Sequence, residues 1–313
     1  MVLLDASRKN CGHKPPFTTY HGQIVCKKCF TRLIEQAVTK TVSEYRMLSY
    51  REHLGVALSG GKDSIVLLHI LKKIAKPHTQ FTAIMIDEGI VNYREDGLEK
   101  GRQAAIREKV PLEVFSFKEL FGWTLDEVIE RAKKKNYQKA ECAICGILRR
   151  QALNISARKV GVDKLATGHH LDDEAQSIIM NILRGDHIRL NRLSRIPISK
   201  NALFVPRLRP MVKIDESQIV LYAFAENLTY EKAQCPYASS AMRNDIREFL
   251  SQQEFKRTGI LRNIIRIHDL FFSNQLETIQ RHKSPETIRI CKKCGEPSNK
   301  DVCEACNLLE IIA

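Results

Sequence analysis

The sequence predicts an α/β protein in which a parallel, doubly wound sheet forms the central domain and a small metal-binding module lies at each end. Two patterns carry this prediction. In the middle of the chain, short apolar runs alternate with segments whose apolar residues recur at helical spacing. Toward both ends, cysteines occur in pairs separated by two residues. Because parallel strands need crossover connections, the alternation indicates a parallel sheet covered by helices.

The elements follow in order along the chain. A helical run over 31–50 precedes the first strand, and from residue 215 onward the apolar spacing is again mostly helical. Ligands of a parallel sheet bind beyond the carboxyl ends of its strands, so the segments after the strands are the candidate site. The predicted strands are 53–58, 81–86, 112–117 and 164–167, and the predicted helices between and after them are 64–74, 97–110, 144–160 and 172–183.

Three parts are predicted along the 313 residues. Residues 1–48 hold an N-terminal zinc-binding module and a helix, residues 49–285 form the α/β domain, and residues 286–313 form a four-cysteine module. Pro285 marks the second boundary because proline interrupts regular structure.

The charge balance is strongly basic. Fifty Lys and Arg residues against 36 Asp and Glu residues give a net charge of +14, which favours a polyanionic partner such as RNA or DNA over an ordinary basic enzyme. No apolar run reaches the roughly 20 residues that span a bilayer. The first ten residues are too short and polar for a secretory signal. We therefore expect a cytoplasmic protein with no membrane partner.

The segment after the first strand has the features of a phosphate-binding loop. In Leu58-Ser-Gly-Gly-Lys-Asp-Ser64, two glycines allow close backbone approach, Lys62 adds a positive charge, and the helix N-terminus offers free N–H groups. The loop is not a Walker A motif, because Val56 and Asp63 occupy positions where that motif has glycine and Ser or Thr. The alternative is an ordinary glycine turn with a capping serine.

This loop resembles the PP-loop of the ATP pyrophosphatase group, enzymes that cleave ATP between the α and β phosphates. Gly168-His-His-Leu-Asp-Asp-Glu174 resembles the second motif of that group. The resemblance makes Lys62, Asp63, Asp172 and Asp173 catalytic candidates, the carboxylates as ligands or orienters of Mg²⁺. Simple helix capping is the alternative for Asp172 and Asp173. The ATP-binding residues expected on this basis are Ala57, Ser59, Gly60, Gly61, Lys62, Asp63, Ser64, Met85 and Gly168.

Eight of the ten cysteines form C-x-x-C pairs, and disulfides are disfavoured in a cytosolic chain, so metal binding or catalysis is expected. Cys142 and Cys145 form the central pair, and Cys235 stands alone. Three roles compete for them: a structural role, a persulfide-forming redox pair, or ligation of an iron–sulfur cluster with one iron left open. Near Arg149 and a helix N-terminus, Cys145 is expected to have a lowered pKa.

The terminal cysteines predict two zinc sites. Cys291, Cys294, Cys303 and Cys306 are spaced as in four-thiolate structural sites. At the other end, Cys11, Cys26 and Cys29 supply three ligands, and His13 is the expected fourth, ahead of His21. A module without metal is the alternative, although such small folds are rarely stable without a metal or disulfide cross-link.

Taken together, the phosphate loop, the central C-x-x-C, the Cys235-Pro-Tyr-Ala stretch and the terminal modules resemble the tRNA 2-thiolation enzymes of the TtuA/NcsA group across nearly the whole chain. The segments 181–186, 189–192 and 303–310 are more similar to its wobble-uridine branch than to its T-loop branch. One departure is Arg8, which stands where the group has the first cysteine of its N-terminal module.

The resemblance implies an ATP-dependent tRNA sulfurtransferase. ATP would activate C2 of a uridine, a 4Fe-4S cluster would sit on Cys142, Cys145 and Cys235, and the enzyme would often be a homodimer. The sulfur donor would be free sulfide or a ubiquitin-like carrier with a C-terminal thiocarboxylate. Basic residues on either side of the motifs are the expected tRNA contacts: Lys133, Lys134, Lys135, Arg184, Arg189 and Arg192.

Two rival functions remain open. A PP-loop ligase with an amine nucleophile would not need the three central cysteines. A non-catalytic zinc-bearing RNA-binding protein would not need both the phosphate loop and the second motif.

Overall fold

A computed structural model describes residues 17–18, 24–49, 51–191, 193, 203–238, 242–282 and 289–313. Its strands are β1 (Phe17–Thr18), β2 (Ile24–Val25), β3 (His53–Ala57), β4 (Gln80–Asp87), β5 (Leu112–Ser116), β6 (Lys164–Ala166), β7 (Arg207–Leu208), β8 (Arg289–Ile290) and β9 (Pro297–Ser298). Its helices are α1 (Lys27–Glu44), α2 (Lys62–Ile74), α3 (Arg94–Glu108), α4 (Phe117–Phe121), α5 (Leu125–Lys134), α6 (Glu141–Val160), α7 (Leu171–Leu183), α8 (His187–Asn191), α9 (Glu216–Ala225), α10 (Met242–Lys256), α11 (Ile260–His282) and α12 (Glu304–Ile312).

The central sheet has the strand order β5-β4-β3-β6-β7, and all its neighbouring strands are parallel. The order runs outward in both directions from β3, so the chain reverses its course across the sheet between β3 and β6. The doubly wound parallel sheet predicted from the sequence is confirmed. The two-residue strand β7 was not predicted, because two residues carry no periodic signal.

Helices cover both faces of the sheet, and β4 shows why. Ala83 and Met85 pack into a core with α1, α2, α3 and α9, whereas Ile84 and Ile86 pack into a second core with α5, α6 and α12. Successive side chains of a strand point to opposite faces, so a strand covered on both sides is a continuous apolar run. A third cluster packs α7 against α10 and α11.

The C-terminal residues share a core with the central domain. Leu308 and Ile312 of α12 pack in the same cluster as Ile144 and Leu148 of α6. Glu296 adds a polar anchor, accepting hydrogen bonds from Asn154 (2.9 Å) and Arg158 (2.8 Å). The residues around Pro285, where the sequence places a domain boundary, lie outside the described part of the chain. Among the described helices, none is long and apolar enough to cross a membrane.

Candidate active site

The phosphate loop connects β3 to α2 and is shaped by a close backbone contact. Gly60 has φ of 90°, and a Cβ on it would fall 2.0 Å from the carbonyl oxygen of Gly97 at the start of α3. Both facts require glycine. Ser64 then fixes the loop: its Oγ accepts from the Ser59 N–H (3.1 Å) and donates to the Gly61 carbonyl (2.9 Å). Ser64 is therefore a brace of the loop, with its hydroxyl already engaged.

Lys62, at the first position of α2, is held by two carboxylates. Its Nζ lies 2.7 Å from Oε1 of Glu216 and 3.2 Å from Oδ1 of Asp63. Burial works against the charge, but these partners raise the pKa of Lys62 above its usual range. Sequence analysis missed Glu216, because it lies 154 residues from Lys62 and no spacing rule joins the two.

The second motif follows β6 and meets the phosphate loop. A Cβ on Gly168 would fall 3.1 Å from the backbone nitrogen of Ser64. His170, the residue before α7, places Nε2 3.3 Å from Asp173 and 3.9 Å from Asp63. Asp172 accepts a hydrogen bond from the backbone N–H of Glu216 (2.9 Å) and so links this motif to α9. Nδ1 of His170 also lies 3.3 Å from Asp172, so all three acids lie beside one histidine although Asp63 is far from the other two in the sequence.

The pKa values of both His170 and Asp63 are raised above their usual ranges. Burial opposes the charge of His170, but Asp172, Asp173 and Asp63 together raise its pKa to about 9. Burial raises the pKa of Asp63 despite His170 and Lys62, although Oδ1 of Asp63 lies 3.2 Å from Nζ of Lys62. In this arrangement the carboxylates face the cationic side chains of His170 and Lys62. Their role as Mg²⁺ ligands stays a prediction.

His169 differs from its neighbour. Its side chain is exposed to solvent, whereas that of His170 is buried. Its Nδ1 is paired with the Thr167 hydroxyl at 2.9 Å.

Two of the predicted ATP-binding residues belong to the sheet. Ala57 is the last residue of β3, at the edge from which the loop departs. The side chain of Met85 is buried in the core and lies against Gly101, where an added Cβ would fall 2.4 Å from its Cε. The Met85 side chain therefore packs beneath α3, and its backbone lies on β4 beside the loop strand.

Cys142 lies in the first turn of α6 and Cys145 at the start of its second turn, because the helix begins at Glu141, earlier than the predicted start at 144. Cys142 donates a hydrogen bond to the carbonyl of Tyr237 (2.8 Å), and Arg149 donates to Sγ of Cys145 (3.1 Å). Cys235, two residues before Tyr237, packs with the Cys145 cluster. The three cysteines of the sequence prediction are thus brought into one region.

The expected pKa of Cys145 was wrong in direction. Burial raises it to about 11, and the nearby Arg149 does not compensate. The sequence reveals the arginine but not that Cys145 lies under the second core. A bound metal displaces the thiol proton and so makes such a buried cysteine a ligand.

The three central sulfurs are spaced unlike the terminal ones. Within the described ranges, the one group of three or more potential ligands whose atoms all lie within 4.8 Å of one another is formed by Cys291, Cys294, Cys303 and Cys306. That arrangement suits a single tetrahedral ion. Cys142, Cys145 and Cys235 are not such a group, and their role as ligands of a cluster stays a prediction.

The C-terminal sulfurs also accept backbone hydrogen bonds. The N–H of Cys303 donates to Sγ of Cys291, and the N–H of Cys306 donates to Sγ of Cys303, both at 3.3 Å. Burial opposes the effect, but backbone donors lower the pKa of Cys291 below its usual range. At the other end, Cys26 caps α1 and accepts from the N–H of Cys29 (3.3 Å). Cys11, His13 and His21 lie outside the described residues.

The basic residues fall into two places. Lys133 pairs with Glu141 (3.2 Å), so the end of α5 lies beside the Cys142 turn. Lys134 pairs with Glu130, and Lys135 ends that helix. On the other side, Arg184 ends α7 and Arg189 pairs with Asp186 (3.1 Å), whereas Arg192 lies outside the described residues.

The sequence did not predict a further pair of basic residues as an anion contact. Arg207 on β7 donates to the carbonyl of Arg150 on α6 (2.7 Å), next to Arg149. The side chains of Arg150 and Arg207 are both exposed to solvent. No carboxylate is paired with Arg150 or Arg207 among the residues that the structure describes. Two adjacent unneutralised guanidinium groups form a favourable place for an anion.

The fold and this loop define the class of protein. A family model described as a PP-loop domain matches residues 30–254 of the chain. The chain is similar to cytoplasmic tRNA 2-thiolation protein 1 of Drosophila melanogaster, with 37% identity over 310 residues that cover 97% of this chain and 87% of that protein. It is 39% identical to the protein of the same name from Chlamydomonas reinhardtii over 290 residues, covering 91% and 78% of the two chains. This chain belongs to the cytoplasmic tRNA 2-thiolation protein 1 family of PP-loop proteins.

A solved structure agrees with this assignment. The fold is similar to that of the U34-tRNA thiolase NcsA from Methanococcus maripaludis, solved with its [4Fe-4S] cluster. The TM-score is 0.79 at 30% identity, and the match covers 96% of this chain and 95% of that one.

Proposed function

We propose that this protein is an ATP-dependent tRNA sulfurtransferase that converts a uridine, the wobble uridine U34, to 2-thiouridine in the cytoplasm. One observation carries the proposal most directly. The segment that bears Cys235 is hydrogen-bonded to the phosphate loop, since the N–H of Glu231 donates to the Gly60 carbonyl at 3.0 Å. Tyr237 in the same segment accepts from Cys142. A nucleotide on the loop and a sulfur at the thiols would therefore meet at one edge of the sheet.

The nucleotide side of the reaction falls to the loop and the second motif. The N–H groups at the start of α2 and Lys62 would hold the triphosphate, with Asp63, Asp172 and Asp173 orienting Mg²⁺. The C2 oxygen of the uridine attacks the α-phosphorus and pyrophosphate leaves. The adenylated oxygen then becomes a good leaving group at C2.

The sulfur-transfer half of the proposed reaction takes place at Cys142, Cys145 and Cys235. These thiolates would hold a 4Fe-4S cluster, which would supply a Lewis-acid position for sulfide. A sulfide sulfur adds to C2, the C2–O bond breaks, and AMP departs with the former uridine oxygen. The donor of that sulfur would be either free sulfide or a thiocarboxylate on a ubiquitin-like carrier.

Two structural zinc ions complete the proposed metal content. The C-terminal site uses Cys291, Cys294, Cys303 and Cys306, and the N-terminal site uses Cys11, His13, Cys26 and Cys29. A homodimer is the proposed oligomeric state.

The substrate tRNA would bind the basic surfaces. The net charge of +14 and the pair Arg150 and Arg207 beside the thiols support this placement. The earlier candidates Lys133, Lys134, Lys135, Arg184, Arg189 and Arg192 would contribute further phosphate contacts.

Mass spectrometry of tRNA nucleosides tests the function. Cells that lack the gene should lose 2-thiouridine derivatives from U34, and the wild-type gene should restore them, whereas a Lys62→Ala gene should not. Unchanged 2-thiouridine in the deletion strain would refute the proposal. The anaerobically purified protein should also be brown, whereas an amine-using ligase of the same fold or a zinc-only RNA-binding protein would be colourless.

A further inference from the structure

We propose that Glu88 is a positioning residue that couples occupancy of the phosphate loop to the surroundings of Cys145, through Arg94 on one side and Arg149 on the other. The inference deepens the proposed function, on which it rests for the assignment of ATP to the loop and of sulfur chemistry to Cys145. Among the described residues, the Glu88 side chain pairs with these two arginines rather than with the loop or a cysteine.

Glu88 lies immediately after β4 and binds a different arginine with each carboxylate oxygen. Its Oε2 is 2.7 Å from Nε of Arg94, and its Oε1 is 2.8 Å from Nε of Arg149. The side chain is only 7% exposed, so these are charge-assisted contacts with little solvent screening on the carboxylate side. Glu88 is therefore the shared anion between two cations.

Arg94 connects Glu88 to the loop. Its Nη1 donates to the carbonyl of Ser59 at 2.6 Å, and its Nη2 donates to the carbonyl of Ile86 at 2.8 Å. The Arg94 side chain is 6% exposed and bonded at every branch, so it has one well-defined position. A displacement of the Ser59 peptide by bound phosphate would have to move Arg94 or break this contact.

Arg149 connects Glu88 to the thiol. Its Nη2 lies 3.1 Å from Sγ of Cys145, and its side chain is 47% exposed, which leaves it free to adjust. Four short polar contacts thus run from the Ser59 carbonyl to Cys145. A triphosphate on the loop changes the charge beside Ser59 by several units, and this relay is a direct polar route by which the change reaches Cys145.

Glu88→Gln tests the coupling because it keeps the size of the side chain and removes its charge. In iron-free wild-type protein that retains its zinc, a saturating non-hydrolysable ATP analogue should change the rate at which iodoacetamide alkylates Cys145 by about fivefold, the low end of typical coupling between sites. Peptide mass spectrometry reads Cys145 and Cys142 separately. In Glu88→Gln the analogue should still bind, and the rate at Cys145 should no longer respond to it.

Three comparisons keep the outcome unambiguous. Glu113→Gln, on the exposed side of β5, should respond as the wild type does. Arg94→Lys keeps the charge but loses the branched contacts to Ser59 and Ile86, so it should also lose the response. In protein loaded with iron, the electron paramagnetic resonance signal of the reduced cluster should shift on addition of the analogue in the wild type and not in Glu88→Gln.

Either of two results would overturn the coupling: a wild-type protein whose Cys145 ignores the bound analogue, or a Glu88→Gln protein that responds fully. Should Glu88→Gln fail to fold, as shown by loss of zinc and circular dichroism, Arg94→Lys decides in its place. The alkylation arm needs neither tRNA nor iron, so its result is separate from that of the nucleoside test of function.

Discussion

Gly168 lies directly against Asp63: a side-chain carbon on Gly168 would fall 3.0 Å from the carbonyl carbon of Asp63. The phosphate loop and the second motif therefore share a backbone contact, although they are far apart in the sequence. Gly168→Ala should push the start of α2 away and weaken ATP binding about tenfold, since backbone cannot yield as a flexible side chain does. Calorimetric titration with ATP measures this. Unaltered affinity would show that the backbone can accommodate the added methyl group without disturbing the ATP site.

Lys62→Ala should abolish ATP cleavage and thiolation while the fold and the zinc content persist. The change removes the loop's positive charge and leaves Glu216 and Asp63 facing the incoming phosphates. Lys73→Ala is the matched control, because Lys73 lies on the same helix and pairs with Glu35 and Glu226. Pyrophosphate release reports the result, and normal release by the Lys62 variant would contradict the loop assignment.

The cysteines should separate into two metal classes. Single changes of Cys142, Cys145 or Cys235 to Ala should remove iron and activity together and leave zinc in place. Cys303→Ala should remove zinc and also lower the melting temperature, because Cys303 is buried in a core that includes α6. Elemental analysis of each variant decides the point. Full iron in all three central variants would exclude the cluster, and iron-free wild-type protein with essential Cys142 and Cys145 would favour a persulfide.

Binding to tRNA should weaken steeply with salt, and the slope should depend on named residues. Each neutralised phosphate contributes about −0.7 to −0.9 to the slope of log affinity against log salt. Changing Arg150 and Arg207 together to Gln should flatten the slope by about one to two units for this reason and leave ATP affinity unchanged. Exposed Arg102 on α3, changed to Gln, is the control. An unaltered slope would place the phosphates elsewhere.

Changing Lys133, Lys134 and Lys135 together to Ala should flatten the same slope less per residue removed. Lys133 and Lys134 are already paired with Glu141 and Glu130, so each neutralises a phosphate less effectively. Filter binding over a range of salt compares the two sets. A larger effect from the lysines than from the arginines would reverse this ranking.

His170 should stabilise the Mg²⁺-free protein in a defined pH range. Its pKa is raised to about 9 in the folded state, above the usual value of 6.5. Its contribution is therefore complete below about pH 6.5 and is lost as pH rises toward 9. Urea unfolding of wild type and His170→Gln should show a stability difference that shrinks across this interval. A difference that is constant with pH would mean that the histidine acts by packing alone.

The sequence predicted the parts of the site that are local. The glycines and Lys62 lie within seven residues of one another, and the His-Asp motif is also contiguous, so spacing alone identifies both. It could not predict Glu216, Glu88 or Arg94, because their roles come from strands and helices that meet only in the fold. It predicted a lowered pKa for Cys145, which was wrong. Burial outweighs the neighbouring arginine, and local sequence spacing does not reveal burial.

The anchoring of Glu296 to Asn154 and Arg158 has a consequence for biogenesis. The helix that presents Cys142 and Cys145 is synthesised well before residues 291–312, yet it packs against them. Until the ribosome has translated residues 291–312, the face of the helix that packs against them is exposed. The proposed cluster would therefore be inserted after translation of residues 291–312, and cells short of zinc should accumulate full-length but colourless protein.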